Sequence, residues 1–135
     1  MTSAQPRLVA EPSRDFNEWH RESLPETARM IDIDLCYYSS DGVCLIGESI
    51  HIKNGTLSDA DTAKYAVWSH KRKVLEDLSE RLGVPAFVVW KATENDDEVA
   101  VKVLPDGDVR RMDADEYASM LKLARRRRRE ECGDA

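Results

Sequence analysis

The sequence predicts a small α/β (α+β) domain in which a mixed β-sheet of about four strands is flanked by helices. Residues 28–38 alternate between apolar and polar side chains, and residues 43–52 form a second apolar strand. The turn Asp41-Gly42 between them is typical of a β-hairpin. Residues 58–82 carry apolar side chains at helical spacing, and Gly83 suits the end of that helix.

The other elements complete the order helix, hairpin, helix, two strands, helix. A short helix is predicted over 14–24, ahead of the hairpin. Residues 86–90 form an apolar run suited to a buried strand, and a further strand is predicted over 98–104. The last helix is expected to begin at Asp113, because Glu116 stands three residues later, as in a capping box.

Composition divides the chain into three predicted parts. Residues 1–12 are polar, contain two prolines and show no periodicity, so we expect a disordered N-terminal tail. Residues 13–124 contain the predicted elements and form the domain. Residues 125–135 are expected to form a basic helix end and a polar C-terminal tail.

The chain has 135 residues, of which 41% are hydrophobic and 34% charged, as in a globular domain. Its formal net charge of -6 argues against a protein that coats nucleic acid non-specifically. It does not exclude a nuclease, because carboxylates that hold metal ions add negative charge. With no apolar run long enough for a membrane and no export signal, we expect a cytoplasmic protein without a membrane partner.

Three acidic residues on the predicted hairpin stand out. Asp32 and Asp34 lie within a predicted strand, where aspartate is disfavoured. Glu48 shares its strand face with apolar residues: Cys44, Ile46, Ile50 and Ile52. A lone carboxylate on an apolar face costs several kcal/mol unless it is paired, protonated or bound to a metal ion.

The length of the hairpin loop decides whether these acids meet. A three-residue loop, 40–42, places Asp34 directly opposite Glu48 on one face of the sheet. Two facing carboxylates make sense mainly around a cation, and Mg²⁺ binds one or two carboxylates together with phosphate oxygens. A loop of two or four residues would put the two acids on opposite faces. The alternative to a cation site is that Asp32 and Asp34 face solvent on a one-sided sheet and Glu48 reaches an arginine.

The segments 32–35, 44–48 and 81–90 carry a family resemblance. They look like the small PD-(D/E)XK, restriction-endonuclease-like proteins of bacteriophages, and the similarity spans about residues 13–124. It implies a restriction-endonuclease-like core and hydrolysis of DNA phosphodiester bonds with Mg²⁺ or Mn²⁺. It also implies DNA as the partner, in the cytoplasm of a bacterial or phage-infected cell.

The resemblance assigns roles to particular residues. Asp34 and Glu48 take the positions of the two metal-binding acids. The family's lysine, which positions or polarises the attacking water, is missing, because Ile50 stands two residues after Glu48. The motif is therefore degenerate.

The family is known to relocate this lysine to the neighbouring helix. Lys71 is the leading candidate, since it lies where the apolar stripe of the predicted helix should continue. The alternative is that Lys71 only extends its ammonium to water from the edge of that stripe. Lys64 lies one face over, whereas His51 and Lys53 have the wrong parity on the strand and would need a bulge.

Further candidates lie outside the hairpin. Glu18 on the first helix is expected to support the site, as an acid on this helix does in similar nucleases, and Asp32 is expected in the same role. A basic run is predicted either to contact phosphates or to form a solvated helix end: Arg125, Arg126, Arg127, Arg128 and Arg129. The alternative function is a catalytically inactive nuclease-fold module that binds nucleic acid or a protein partner.

Overall fold

A computed structural model describes residue 18, residue 22 and residues 32–93, 95 and 97–133. The chain divides into two compact units, residues 1–31 and residues 32–135. In the first unit, Glu18 and Glu22 are helical and exposed. The predicted tail over 1–12, the rest of the helix over 14–24 and the first residues of the predicted hairpin lie outside the described residues.

The second unit is built on a mixed sheet of five strands, one more than predicted. The strands are β1 (Leu35–Ser39), β2 (Gly42–Ile52), β3 (Ala86–Ala92), β4 (Glu98–Val103) and β5 (Arg110–Asp113). They follow one another in the order β1-β2-β3-β4-β5, with β2 and β3 parallel and every other pair antiparallel. The additional strand is β5. Its sequence gave no alternating signal, because Met112 is its one partly buried apolar residue.

Three helices accompany the sheet: α1 (Asp59–Lys64), α2 (Ser69–Leu82) and α3 (Ala114–Gly133). The single helix predicted over 58–82 is thus two helices. The indole nitrogen of Trp90 donates a hydrogen bond to the carbonyl of Tyr65 at 2.9 Å. In a continuous helix this carbonyl would instead accept a hydrogen bond from the backbone amide four residues later. Among the described residues, no helix is both long and apolar enough to cross a membrane.

The predicted helix ends are confirmed. Ser58 caps α1 by accepting a hydrogen bond from the amide of Asp61, and Gly83 ends α2 in the left-handed conformation with φ 67°. At the start of α3, the amide of Glu116 donates to Asp113 and the amide of Asp113 donates to Glu116. This reciprocal pair is the predicted capping box.

The β1–β2 hairpin has the predicted register at its open end, but its turn is one residue shorter than predicted. Ser39 pairs with Gly42, so the turn has two residues, not three. Tyr37 pairs with Leu45 and Tyr38 with Val43, which leaves Cys44 as an extra residue in β2. This β-bulge restores the pairing of Cys36 with Ile46 that the three-residue loop predicted.

The sheet has an apolar core on each face. One core joins Ile46, Val88 and Trp90 of the sheet to Leu75 of α2. The other joins Leu45 and Phe87 to the apolar stripe of α3, which consists of Tyr117, Met120, Leu121 and Ala124 as predicted. The sheet therefore lies between α2 on one side and α3 on the other.

Gly47 is a sensitive position because Phe87, its partner on β3, covers it. A Cβ atom at residue 47 would lie 2.6 Å from Cε1 of Phe87, which is too close for van der Waals contact. We expect Gly47→Ala to lower the free energy of unfolding by about 1–3 kcal/mol, measured by urea denaturation. In a Phe87→Leu background, the same substitution should cost less. An equal cost in both backgrounds would contradict this packing argument.

Candidate active site

Asp34 lies directly before β1, at the open end of the hairpin. Since Leu35 pairs with Gly47, the next pair along the two chains would join Asp34 and Glu48. The Oδ2 atom of Asp34 accepts hydrogen bonds from both the amide and the hydroxyl of Ser49, each at 3.2 Å. These two bonds tie the carboxylate of Asp34 to β2 although the residue itself lies outside the strand.

Glu48 lies in the middle of β2 and is only 9% exposed. Its Oε1 atom accepts a hydrogen bond from Nζ of Lys71 at 2.8 Å. Its Oε2 atom is buried and has no hydrogen-bond partner in the described part of the chain. Half of this carboxylate is therefore left without compensation for its lost hydration.

Lys71 comes from α2 and reaches down to the sheet. Its Nζ atom lies 2.8 Å from Glu48 Oε1 and 3.9 Å from Asp34 Oδ1, so one ammonium bridges both carboxylates. Leu75, one turn further along α2, is fully buried in the core on the same side of the sheet. The packing of Leu75 thus points the Lys71 side chain toward the two acids.

The two carboxylates titrate in opposite directions. Burial raises the pKa of Glu48, the nearby carboxylate of Asp34 raises it further, and Lys71 offsets only part of this effect. Burial also acts to raise the pKa of Asp34, but the interaction with the Glu48 carboxyl, the hydrogen bonds from Ser49 and the charge of Lys71 outweigh it, so the net pKa is lowered. When the pair holds one proton, Glu48 therefore carries it and Asp34 stays ionised.

The donor set suits a hard divalent cation. Mg²⁺ and Mn²⁺ prefer oxygen ligands, and Mg²⁺ is commonly held by one or two carboxylates together with water and substrate phosphate. Asp34 and Glu48 would be those two carboxylates, and the buried Oε2 atom of Glu48 is an oxygen still without a partner. Among the described residues there is no group of three or more His, Cys, Asp or Glu side chains that could hold a metal ion.

Other candidates on the sheet and α1 lie elsewhere. Asp32 is exposed and makes no hydrogen bond or ion pair with any described residue. His51 contacts the hydroxyl of Thr93 at 2.9 Å, and the ammonium of Lys64 lies over the ring of Tyr65. Lys53 is exposed beyond the end of β2. Glu18 belongs to the first unit, so its supporting role stays a prediction.

The arginine run is not brought to these acids. It lies on α3, which packs on the opposite face of the sheet from α2. Arg128 is half-buried and donates to the carbonyl of Asp41 at the hairpin turn, at 3.2 Å. Six residues of β2, roughly 20 Å at about 3.3 Å per residue, separate that turn from Glu48. The other four arginines are exposed.

Ser49 is a member of the cluster that sequence reasoning missed. It anchors Asp34 through two hydrogen bonds, yet it is an exposed serine of the opposite parity to Glu48 on β2. Its position beside Glu48 was the only available signal, and a serine in a strand does not by itself indicate a partner. The anchoring depends on where β1 ends, which is a property of the folded hairpin.

Comparison with protein-family models, with curated proteins and with solved structures finds no match for this chain. The cluster of Asp34, Glu48 and Lys71 is therefore interpreted from its own geometry.

The raised pKa of Glu48 predicts how stability depends on pH. The folded state binds this proton more tightly than the unfolded state, so the contribution of Glu48 is complete below the ordinary glutamate pKa of 4.5 and is lost as pH rises through the folded pKa. Glu48→Gln removes this loss. We expect the free energy of unfolding of the variant, relative to wild type, to increase between about pH 4.5 and pH 7 in urea titrations.

Glu80→Gln is the matched control, because Glu80 is an exposed glutamate on α2. Its difference from wild type should show no such rise. A Glu48→Gln difference that stays constant over the same range would contradict the assignment.

Proposed function

We propose that this chain is a metal-dependent nuclease with a restriction-endonuclease-like core, in which Lys71 on α2 takes the place of the lysine that is missing at Ile50. The observation that carries the proposal is the meeting of three side chains, from the residue before β1, from β2 and from α2. The ammonium of Lys71 lies 2.8 Å from Glu48 and 3.9 Å from Asp34. Two carboxylates that can hold Mg²⁺ or Mn²⁺, with a lysine beside them, suit metal-assisted hydrolysis of a phosphodiester.

Each residue has a distinct role in this proposal. Asp34 and Glu48 would hold the cation, which when bound neutralises charge on the phosphate and lowers the pKa of water. Asp34 is kept ionised by Ser49 and Lys71, so it can serve as a ligand at neutral pH. Lys71 can donate hydrogen bonds to the attacking water or to a phosphate oxygen, because its ammonium lies within 4 Å of both carboxylates that would hold the cation.

A catalytically inactive module that binds nucleic acid or a protein is the second candidate. Ile50 at the usual lysine position favours it, as does the direct ion pair of Lys71 with Glu48, which neutralises the carboxylate without a metal ion. The two candidates differ in whether Glu48 Oε2, the buried oxygen without a partner, serves as a ligand.

Cleavage of plasmid and single-stranded DNA with Mg²⁺ or Mn²⁺ tests the enzyme directly. We expect Asp34→Asn, Glu48→Gln and Lys71→Met each to reduce the cleavage rate by about 100-fold or more, because each removes a metal ligand or the ammonium that donates hydrogen bonds to the water or phosphate. Lys73→Met and Glu80→Gln, which alter exposed residues of the same helix, should retain activity. DNA that is bound but left intact by the wild-type protein would favour the second candidate.

Binding of the cation should stabilise the fold without any substrate. At free Mg²⁺ of 100 times its Kd, we expect the free energy of unfolding to rise by about 2.7 kcal/mol, measured by urea denaturation. NaCl at equal ionic strength should not reproduce this increase. Glu48→Gln should abolish most of it, whereas an unchanged response in that variant would place the ion elsewhere.

A further inference from the structure

A cleft of about 490 Å³ lies on the same face of the sheet as the cluster of Asp34, Glu48 and Lys71. Val88 and Trp90 of β3 and Leu104 line its apolar part, and Ala63 and Val67 line it from the α1 region. This volume falls within the range of ordinary ligand pockets. The cleft is on the face of the sheet that packs against α2, which is also the face of Glu48 and Lys71.

Two links connect the cleft to the cluster. Arg72, which lines the cleft, directly follows Lys71 along α2. On the sheet, Glu48 pairs with Val88 and Val88 pairs with Lys102, so these three residues form one row across β2, β3 and β4. Neighbouring strands are about 4.8 Å apart, which places the backbone of Lys102 roughly 10 Å from that of Glu48. A ligand strand leaving the cluster along this row would cross the cleft.

Lys102 is the cation of the cleft that is available to a ligand. Arg72 is engaged by Glu76 at 3.0 Å and donates to the carbonyl of Pro105 at 2.8 Å. Lys102, by contrast, makes no ion pair with any residue in the described part of the chain. Its ammonium is therefore suited to a phosphate group one step away from the cluster.

Trp68 supplies an exposed aromatic surface next in the chain to Val67, which lines the cleft. It follows Val67 and lies three residues, about one helical turn, before Lys71. Its relative exposure is 68%, and its ring contact among the described residues is an edge-on one with His70, at 5.2 Å between centroids. An indole this exposed contributes little to the core and is free to stack against a nucleobase.

We infer that the cleft binds single-stranded nucleic acid, with a base stacked on Trp68 and a phosphate held by Lys102. The inference rests on the proposed function, since it takes the scissile phosphate to lie at the cluster. Only an unpaired nucleotide can place its base against the aromatic ring and the apolar part of the cleft, because the bases of a duplex already stack on each other. Asp59 and Asp108 also line the cleft, and their carboxylates can accept hydrogen bonds from base amino groups.

Binding of labelled oligothymidine in EDTA tests the inference without requiring cleavage. We expect the single strand to bind at least tenfold more tightly than a duplex of equal length. Trp68→Ala should weaken single-strand binding about tenfold, and Trp68→Phe should retain most of the affinity. Tyr38→Ala is the matched control, since Tyr38 is an aromatic residue on β1 that is even more exposed, at 80%, and it should have no effect.

The salt dependence separates the two contacts. Lys102→Met should reduce the slope of log K against log salt by about 0.7, the value for one phosphate contact on a single strand. Lys102→Arg should restore the slope, whereas Trp68→Ala should lower the affinity without changing the slope. Lys122→Met on α3 is the control for a lost surface charge. Comparison of oligodeoxyuridine with oligouridine, which differ only in the 2′-hydroxyl, shows which sugar the cleft prefers.

The outcomes for this inference and for the enzyme are distinguishable. If cleavage depends on Asp34, Glu48 and Lys71 while Trp68→Ala and Lys102→Met leave affinity unchanged, the cleft inference is wrong and the nuclease proposal stands. Equal affinity for duplex and single strand would also overturn it. If the expected binding pattern is found and DNA stays intact, the cleft inference stands and the enzyme proposal fails.

Discussion

The extra residue in β2 determines which side chains meet in this fold. With Cys44 accommodated as a bulge, Cys44 and Leu45 both join the core beneath α3, and Ile46 and Glu48 face α2. A two-residue turn without the bulge would shift the pairing by one residue and set Asp34 opposite Gly47 instead of Glu48. The bulge therefore controls both the two apolar cores and the position of the carboxylate pair.

The carboxylate of Glu48 is held where a globular protein would ordinarily place an apolar side chain. Its neighbours in the core on that face include Ile46 and Val88, and one of its oxygens has no hydrogen-bond partner among the described residues. Burial of this kind opposes folding unless another interaction offsets it. Lys71 provides a partial offset, and the raised pKa of Glu48 shows that the compensation is incomplete. Residues that lower the stability of the fold in this way are characteristic of functional positions.

The two faces of the sheet differ in character. The α3 face is an apolar core closed by a long helix, and Arg128 of that helix fastens the hairpin turn through the carbonyl of Asp41. The α2 face combines its apolar core with the Asp34, Glu48 and Lys71 cluster and the cleft. The break between α1 and α2 contributes to this difference. The break places Val67 at the cleft and leaves the next residue, Trp68, exposed. In a continuous helix, both side chains would have kept the regular helical spacing.

The sequence alone determined the features that depend on near neighbours along the chain. The Asp113 and Glu116 capping box and the αL end at Gly83 follow from residues within a few positions of each other. The sequence also singled out Asp34, Glu48 and Lys71, but it placed Asp32 and Asp34 within a strand, whereas β1 begins only at Leu35. Tertiary structure decided what depends on distant partners: the bulge at Cys44, the helix break opposite Trp90, the short strand β5 and the anchoring of Asp34 by Ser49. Several backbone conformations are locally acceptable at each of these positions, and packing between separate elements selects one of them. Residue patterns within one element therefore do not predict which conformation forms.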